Sequence, residues 1–287
     1  YTDGGCNPNP GPGGWAAILL FPGQKARELT GSHPNTTNNR MELQAAIEAL
    51  RALPAPHRVT FYTDSEYLRR GITEWLPHWQ TNGWRRGKGE LKNRDLWEQL
   101  AEETRRHQIE WRWTRGHTGD RWNERADRLA RSMIDAAALP LDDPNAVHIF
   151  AAGSYRGKTG GGGWAVILRY REAEKSLSGS AAGASSNRMH LQAAIEGLRA
   201  LKKSLPVHLY TPSDYLKNGA TRWLSGWRAR NWKTKDGKPV SNRDLWEALA
   251  ALLQTRRVRW HVVSKEAMPP PMQRARHLAA EAARAAS

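Results

Sequence analysis

The chain says nearly the same thing twice. Tyr62-Thr63-Asp64-Ser65-Glu66-Tyr67-Leu68 returns as Tyr210-Thr211-Pro212-Ser213-Asp214-Tyr215-Leu216, and Asn93-Arg94-Asp95-Leu96-Trp97-Glu98 returns as Asn242-Arg243-Asp244-Leu245-Trp246-Glu247. The displacement is 148 residues at the first place and 149 at the second. Solenoid repeats have periods of roughly 20–50 residues and need several copies, so two copies at this period read as duplicated domains. With 287 residues in all, each copy is long enough to bury a core without metals or disulfides.

Within the first copy, Tyr1 to Gly5 reads as the end of a strand, Asn7 to Gly14 as a glycine-proline hairpin loop and Trp15 to Phe21 as a second strand. A strand with so few residues before Asp3 is short, and no initiator Met is present, so upstream residues are expected. A third strand is predicted over Ala26 to Gly31. The Thr36–Asn39 cluster supplies N-cap side chains for a helix in which Met41, Ala45, Leu50 and Leu53 follow helical spacing, with Glu42 in its first turn. Pro54 and Pro56 end it, Val59 to Thr63 is the next strand, and Ser65 caps a helix through Arg70. A short helix from Ile72, a basic loop, a helix from Asn93 to Arg106, a strand from Ile109 to Thr114 and a helix from Asn123 to Ala138 follow. This order predicts a mixed α/β fold: two domains, 1–138 and 147–287, each a five-stranded mixed sheet flanked by helices, joined by an acidic, proline-bearing linker, 139–146.

The chain carries a formal charge of +16, and 14 tryptophans accompany it. Both point to a polyanionic partner, nucleic acid first. Residues 1–140 hold 20 Lys and Arg against 17 Asp and Glu, while residues 147–287 hold 24 against 9, so the second copy carries almost all the excess. A single cysteine, Cys6, excludes an intramolecular disulfide and suits a reducing compartment. No apolar run approaches the ~18 residues of a membrane span. A cytoplasmic monomer without a membrane partner is expected.

Four spaced motifs of the first copy occur together: Thr2-Asp3-Gly4, Asn38-Asn39-Arg40-Met41-Glu42-Leu43, Thr63-Asp64-Ser65, and Gly116-His117-Thr118-Gly119 followed by Asn123-Glu124-Arg125-Ala126-Asp127. In that order they resemble bacterial type-one ribonuclease H. Singly, each is more often a turn or a helix cap. The resemblance implies an endonuclease that hydrolyses the RNA strand of an RNA·DNA hybrid, with Asp3, Glu42, Asp64 and Asp127 holding two Mg²⁺ ions and His117 assisting proton transfer or product release. Carboxylate oxygens suit Mg²⁺, and Mn²⁺ accepts the same ligands. It also implies nucleic-acid backbone or sugar contacts at Asn9, Asn38, Asn39 and Glu66, where an amide is more usual than the Glu66 carboxylate. Thr37, Trp75, Trp79 and Trp84, with Arg85, Arg86 and Lys88, resemble the family's DNA-strand phosphate pocket and basic protrusion, while core packing is the bland reading of at least one of these tryptophans.

In the second copy Asp3 falls on Ala152, Glu42 on His190, Asp64 on Pro212, Asp127 on Arg276 and His117 on Glu266, so no metal cradle remains. The substrate-facing stretch persists as Asn187, Trp223, Trp227, Arg228, Arg230, Trp232, Lys233 and Lys235. Lost acids together with gained charge predict an inactive copy that helps bind the hybrid, or that takes double-stranded RNA or DNA. The competing readings are a non-catalytic nucleic-acid-binding protein and a fragment of a reverse transcriptase.

Overall fold

Glycine-rich turns and short alternating runs start each half with an antiparallel meander. The computed structural model describes residues 1–84, 91–114, 119–157 and 160–286. The chain divides into two units, Tyr1–Ala138 and Leu139–Ser287. In unit 1, β1 (Thr2–Cys6) pairs with β2 (Gly11–Leu19), and β2 pairs with β3 (Arg27–Thr36), both antiparallel. The third strand runs five residues beyond the expected Gly31. Its polar end, His33-Pro34-Asn35, is exposed at a sheet edge and carries no alternation that a pattern could register.

The remaining elements follow in the expected order. Helix α1 (Asn38–Arg51) starts at Thr37, whose hydroxyl accepts from the Arg40 N–H at 3.4 Å, and strand β4 is Arg58–Thr63. Ser65 caps α2 (Glu66–Arg70), accepting from the Leu68 N–H at 3.3 Å. The chain then stays helical through a π-helical turn, Gly71–Trp75, into α3 (Leu76–Thr81), where two separate short helices were expected. Gly71 explains the join: a Cβ there would strike the ring of the fully buried Trp97, so only glycine lets the turn approach it. Helix α4 (Arg94–Arg105), strand β5 (Gln108–Trp113), parallel to β4, and helix α5 (Arg121–Ala137) complete the unit.

Unit 2 repeats the plan: β6 (Val147–Arg156), β7 (Gly161–Tyr170), β8 (Ala173–Ala182), α6 (Ser186–Arg199), β9 (Val207–Thr211), α7 (Asp214–Asn218), a π-helical turn at Gly219–Trp223, α8 (Leu224–Ala229), α9 (Arg243–Gln254), β10 (Val258–Val262) and α10 (Pro270–Ala285). Its five strands form one mixed sheet in the order β10-β9-β6-β7-β8. In unit 1 the five strands form a three-stranded ladder and the two-stranded β4-β5 ladder. In unit 2, Val147–Phe150 pair with Val207–Tyr210 and join the halves of the sheet. Tyr1 nevertheless stacks on Tyr62 at 4.5 Å as Phe150 stacks on Tyr210 at 4.6 Å.

The core lies on both faces of each sheet. In unit 1, α1 and α4 pack Leu43, Ile47, Leu50, Trp97 and Leu100 on one face, and α5 packs Ala126, Leu129 and Ala130 against Ala16 and Ile18 on the other. Residues 139–146, expected as a linker, fold onto unit 2. Leu139 and Leu141 pack beside Phe150, and the Asp143 carboxylate meets His208 Nε2 at 3.2 Å. Among the described residues, no helix is long and apolar enough to cross a membrane.

Candidate active site

Two strands and two helices deliver the four acids of unit 1. Asp3 sits on β1, paired with Ala16 of β2, and its Oδ1 accepts from the Gly4 N–H at 2.7 Å. Glu42 lies in the second turn of α1, one residue later than the first turn expected from sequence. Asp64 follows the last residue of β4, held there because Thr63 Oγ1 accepts from the Ser65 N–H at 3.2 Å while Ser65 caps α2. Gly4 makes the convergence possible: a Cβ there would collide with the backbone of Met41 and Glu42, so β1 touches the start of α1 directly.

Ligand atoms of Asp3, Glu42 and Asp64 all lie within 4.8 Å of one another. Such crowding is costly without a cation. Burial, then the charges of Asp64 and Asp127, push the Asp3 carboxyl up to about 7. Burial, then Asp3 and Asp64, raise Glu42 well above the usual carboxylate range. Glu42 Oε2 is buried with no hydrogen-bond partner among the described residues. An orphaned buried carboxylate oxygen beside two further carboxylates is a donor set for a hard divalent cation. Asp127 is close enough on α5 to raise Asp3, while its own Oδ1 accepts from Arg131 Nε at 2.8 Å.

A positioning residue was not singled out from the sequence. Asn123 Nδ2 donates to Asp64 Oδ2 at 3.3 Å, and Thr114 Oγ1 donates to Asn123 Oδ1 at 3.4 Å. Asn123 is itself buried and is fixed at the start of α5, where Asp120 caps the helix by accepting from the Trp122 and Asn123 N–H groups. The signal was in the quoted motif, since Asn123 opens the run that ends at Asp127.

Asn9 and Asn38 meet beside β1: Asn38 Oδ1 accepts from the Cys6 N–H at 2.7 Å, and Asn9 Oδ1 accepts from the Asn38 N–H at 3.4 Å. Thr37 caps α1, and Asn39 is exposed. Glu66 is engaged by Arg69 at 2.6 Å. Trp75, Trp79 and Trp84 all pack on the unit 1 core, Trp79 lying 5.7 Å from both Trp75 and Trp97, so each presents only part of its ring. His117, Arg85, Arg86 and Lys88 lie outside the described residues.

Unit 2 keeps this scaffold and replaces its chemistry. Thr211 Oγ1 accepts from the Ser213 N–H at 3.2 Å and Ser213 caps α7, as Thr63 and Ser65 do in unit 1. Gly153 approaches the start of α6 as Gly4 approaches α1, but its N–H now donates to His190 Nδ1 at 3.0 Å. Burial and the nearby Arg276 lower His190 to about 4, so it is neutral at ordinary pH. The linked polar positions Thr114, Asn123 and Asp64 become Val263, Met272 and Pro212, of which Val263 and Met272 are buried in the apolar core. Trp223 is exposed, Trp227 and Trp232 pack on the unit 2 core, and Arg228, Arg230, Lys233 and Lys235 are exposed beside them. Asn187 lies exposed in the first turn of α6.

The sequence profile of the RNase H family matches residues 1–135 and again 144–283. The chain belongs to the ribonuclease H family. Both units are therefore ribonuclease H domains, one with the acidic site and one without it. The ribonuclease HI of Pseudomonas aeruginosa strain PAO1 is 60% identical over 141 residues, 49% of this chain and 93% of that protein. The ribonuclease H of Xanthomonas campestris pv. campestris strain 8004 is 56% identical over 137 residues, 47% of this chain and 91% of that protein. Among solved structures, LC9-RNase H1, a type 1 RNase H with the type 2 active-site motif, is 37% identical with a TM-score of 0.42, over 46% of this chain and 69% of its own. LC11-RNase H1, solved in complex with an RNA/DNA hybrid, is 25% identical with a TM-score of 0.38, over 48% and 96%.

Proposed function

We propose that unit 1 hydrolyses the RNA strand of RNA·DNA hybrids, leaving a 5′-phosphate and a 3′-hydroxyl, and that unit 2 is an inactive copy that holds nucleic acid. The observation that carries the first part is the meeting of Asp3, Glu42 and Asp64 around a buried Glu42 oxygen that no donor among the described residues satisfies. Asp3, Glu42, Asp64 and Asp127 would hold two divalent ions, Mg²⁺ or Mn²⁺. Bound there, such ions activate water and neutralise charge on the phosphorus and the departing oxygen.

The chain's own residues do the rest. Asn123 fixes the rotamer of Asp64, and the Gly4 N–H fixes Asp3, so two of the carboxylates are oriented before substrate arrives. Asn9 and Asn38 brace the loop after β1 against the start of α1 and present their amides at that corner, within reach of sugar and phosphate oxygens. His117 is assigned the movement of a proton at the departing oxygen. Support for the second part is the charge of unit 2. Its described ion-paired arginines are Arg188, Arg199, Arg243 and Arg274, which leaves Arg228 and Arg230 beside Trp223 without a carboxylate partner among the described residues.

An end-labelled RNA·DNA hybrid incubated with the intact chain and Mg²⁺ tests this reading, beside Asp64→Asn and an EDTA control. Cleavage abolished by both is the expected result. Tight binding without cleavage in any divalent metal would refute the nuclease and leave a binding protein built from two ribonuclease H folds.

A further inference from the structure

Where unit 1 gathers acids, unit 2 has a cavity of about 440 Å³ lined by β6, the start of α6 and the turn between β9 and α7. Its walls carry Ser154, Asn187, His190, Pro212, Lys265 and Arg276, and the one carboxylate among the lining residues is Asp214. The hollow is where the metal cradle of unit 1 would stand, but its charge is reversed. Arg276 takes the place of Asp127, and Arg131, the partner of Asp127, is replaced by Ala280. The described hydrogen bond of the Arg276 guanidinium goes to the sulfur of Met268 at 3.3 Å, a weak acceptor for a full charge. Arg276 and Lys265 are both exposed, and neither has a carboxylate partner among the described residues.

The cavity floor is prepared for an anion as well. His190 is buried and neutral, its Nδ1 already accepting from Gly153, so it adds neither a competing negative charge nor a free acceptor on that side. Ser186 and Asn187 open the fourteen-residue helix α6, whose first N–H groups have no partners within the helix and point toward the N-terminal end. A guanidinium, an ammonium, a helix start and small hydroxyls around one opening match the oxygens of a phosphodiester. Those groups need no divalent ion to do so.

We propose that this cavity binds a backbone phosphate of nucleic acid directly, Arg276 and Lys265 supplying the positive charge that bound metal would supply in unit 1. The inference rests on the reading that unit 2 contacts nucleic acid. Loss of the acids would then be a conversion: a site that engages phosphate through metal and cuts becomes one that engages phosphate through side chains and holds.

The test is fluorescence anisotropy of a labelled RNA·DNA hybrid with the full chain in EDTA, where no cleavage occurs. The double variant Arg276→Ala/Lys265→Ala should weaken binding about tenfold and reduce the slope of log K against log salt by about one. Arg276→Lys should recover part of that loss, which a misfolded variant would not. The control pair Lys202→Ala/Lys203→Ala removes two exposed charges of the same unit away from the cavity and should shift affinity by less than about twofold. Equal losses in the two pairs, or no loss in the first, would overturn the proposal. Because the readout is binding without metal, it stands apart from cleavage. A chain that cuts nothing but whose EDTA binding depends on Arg276 would sink the nuclease reading and keep this one. The reverse result would do the opposite.

Discussion

Asn123 shows how much of this site depends on a residue outside the cluster of acids. Its amide is tied at one end to Thr114 and at the other to Asp64, and in unit 2 all three positions turned apolar together. Neither Val263 nor Met272 would be stable opposite a retained carboxylate, because a buried charge needs a donor. Asn123→Met in unit 1 should therefore lower cleavage and apparent Mg²⁺ affinity by about 10–100-fold, the usual cost of losing an outer-shell partner. A Mg²⁺ titration of hybrid cleavage reads the effect, and unchanged metal dependence would show that Asp64 orients itself. The meeting of Asp3, Glu42 and Asp64 was legible in the sequence because each sits in a short motif of fixed order. Asn123 and Arg40, which binds Asp95 through two bonds of 3.0 and 2.6 Å, were not singled out, because an amide or an ion pair gains its role only when distant elements meet.

At the scale of elements, strand order, helix starts and the duplication were readable, since caps, prolines and hydrophobic spacing are local signals. The continuous helix from Glu66 to Thr81 was not, because its cause is the proximity of Gly71 to Trp97 across the fold. The same contact recurs between Gly219 and Trp246. Replacing glycine by alanine inside a helix normally stabilises by about 1 kcal/mol. Here the added methyl must displace a fully buried indole, and overpacking of that kind costs about 1–3 kcal/mol or more, so the clash wins. Gly71→Ala should destabilise unit 1 and Gly219→Ala unit 2, each by up to about 2 kcal/mol net. Amide hydrogen exchange resolved by peptide would show the loss confined to the unit that carries the change. A gain in protection in either unit would mean that the π-helical turn has room to spare.

The two units, one fold with opposite chemistries, should answer pH in opposite senses. In unit 2 burial lowers His190 and His261 to about 4, so between about 6.5 and 4 the unfolded chain takes up protons that the folded unit refuses. Stability of unit 2 is therefore full above about 6.5 and falls as pH drops toward 4, by an amount on the order of 3 kcal/mol for the buried His190 alone. In metal-free unit 1 the Asp3 carboxyl is raised to about 7 and Glu42 is raised with it, so the folded unit holds protons that the unfolded chain has released. The contribution of these two carboxyls to unit 1 in EDTA is thus full near pH 4 and is lost as pH rises toward 7. A single melting temperature would blur the two, because a chain of two units need not unfold in one step. Hydrogen exchange of unit 1 and unit 2 peptides in EDTA at pH 4.5 and 7, corrected for intrinsic exchange rates, separates them. Protection should move toward unit 2 as pH rises, and Mg²⁺ at pH 7 should restore unit 1 while leaving unit 2 unchanged. If Mg²⁺ protected unit 2 equally, the cation would be acting on the whole charged surface, and the assignment of metal to the acids of unit 1 would fail.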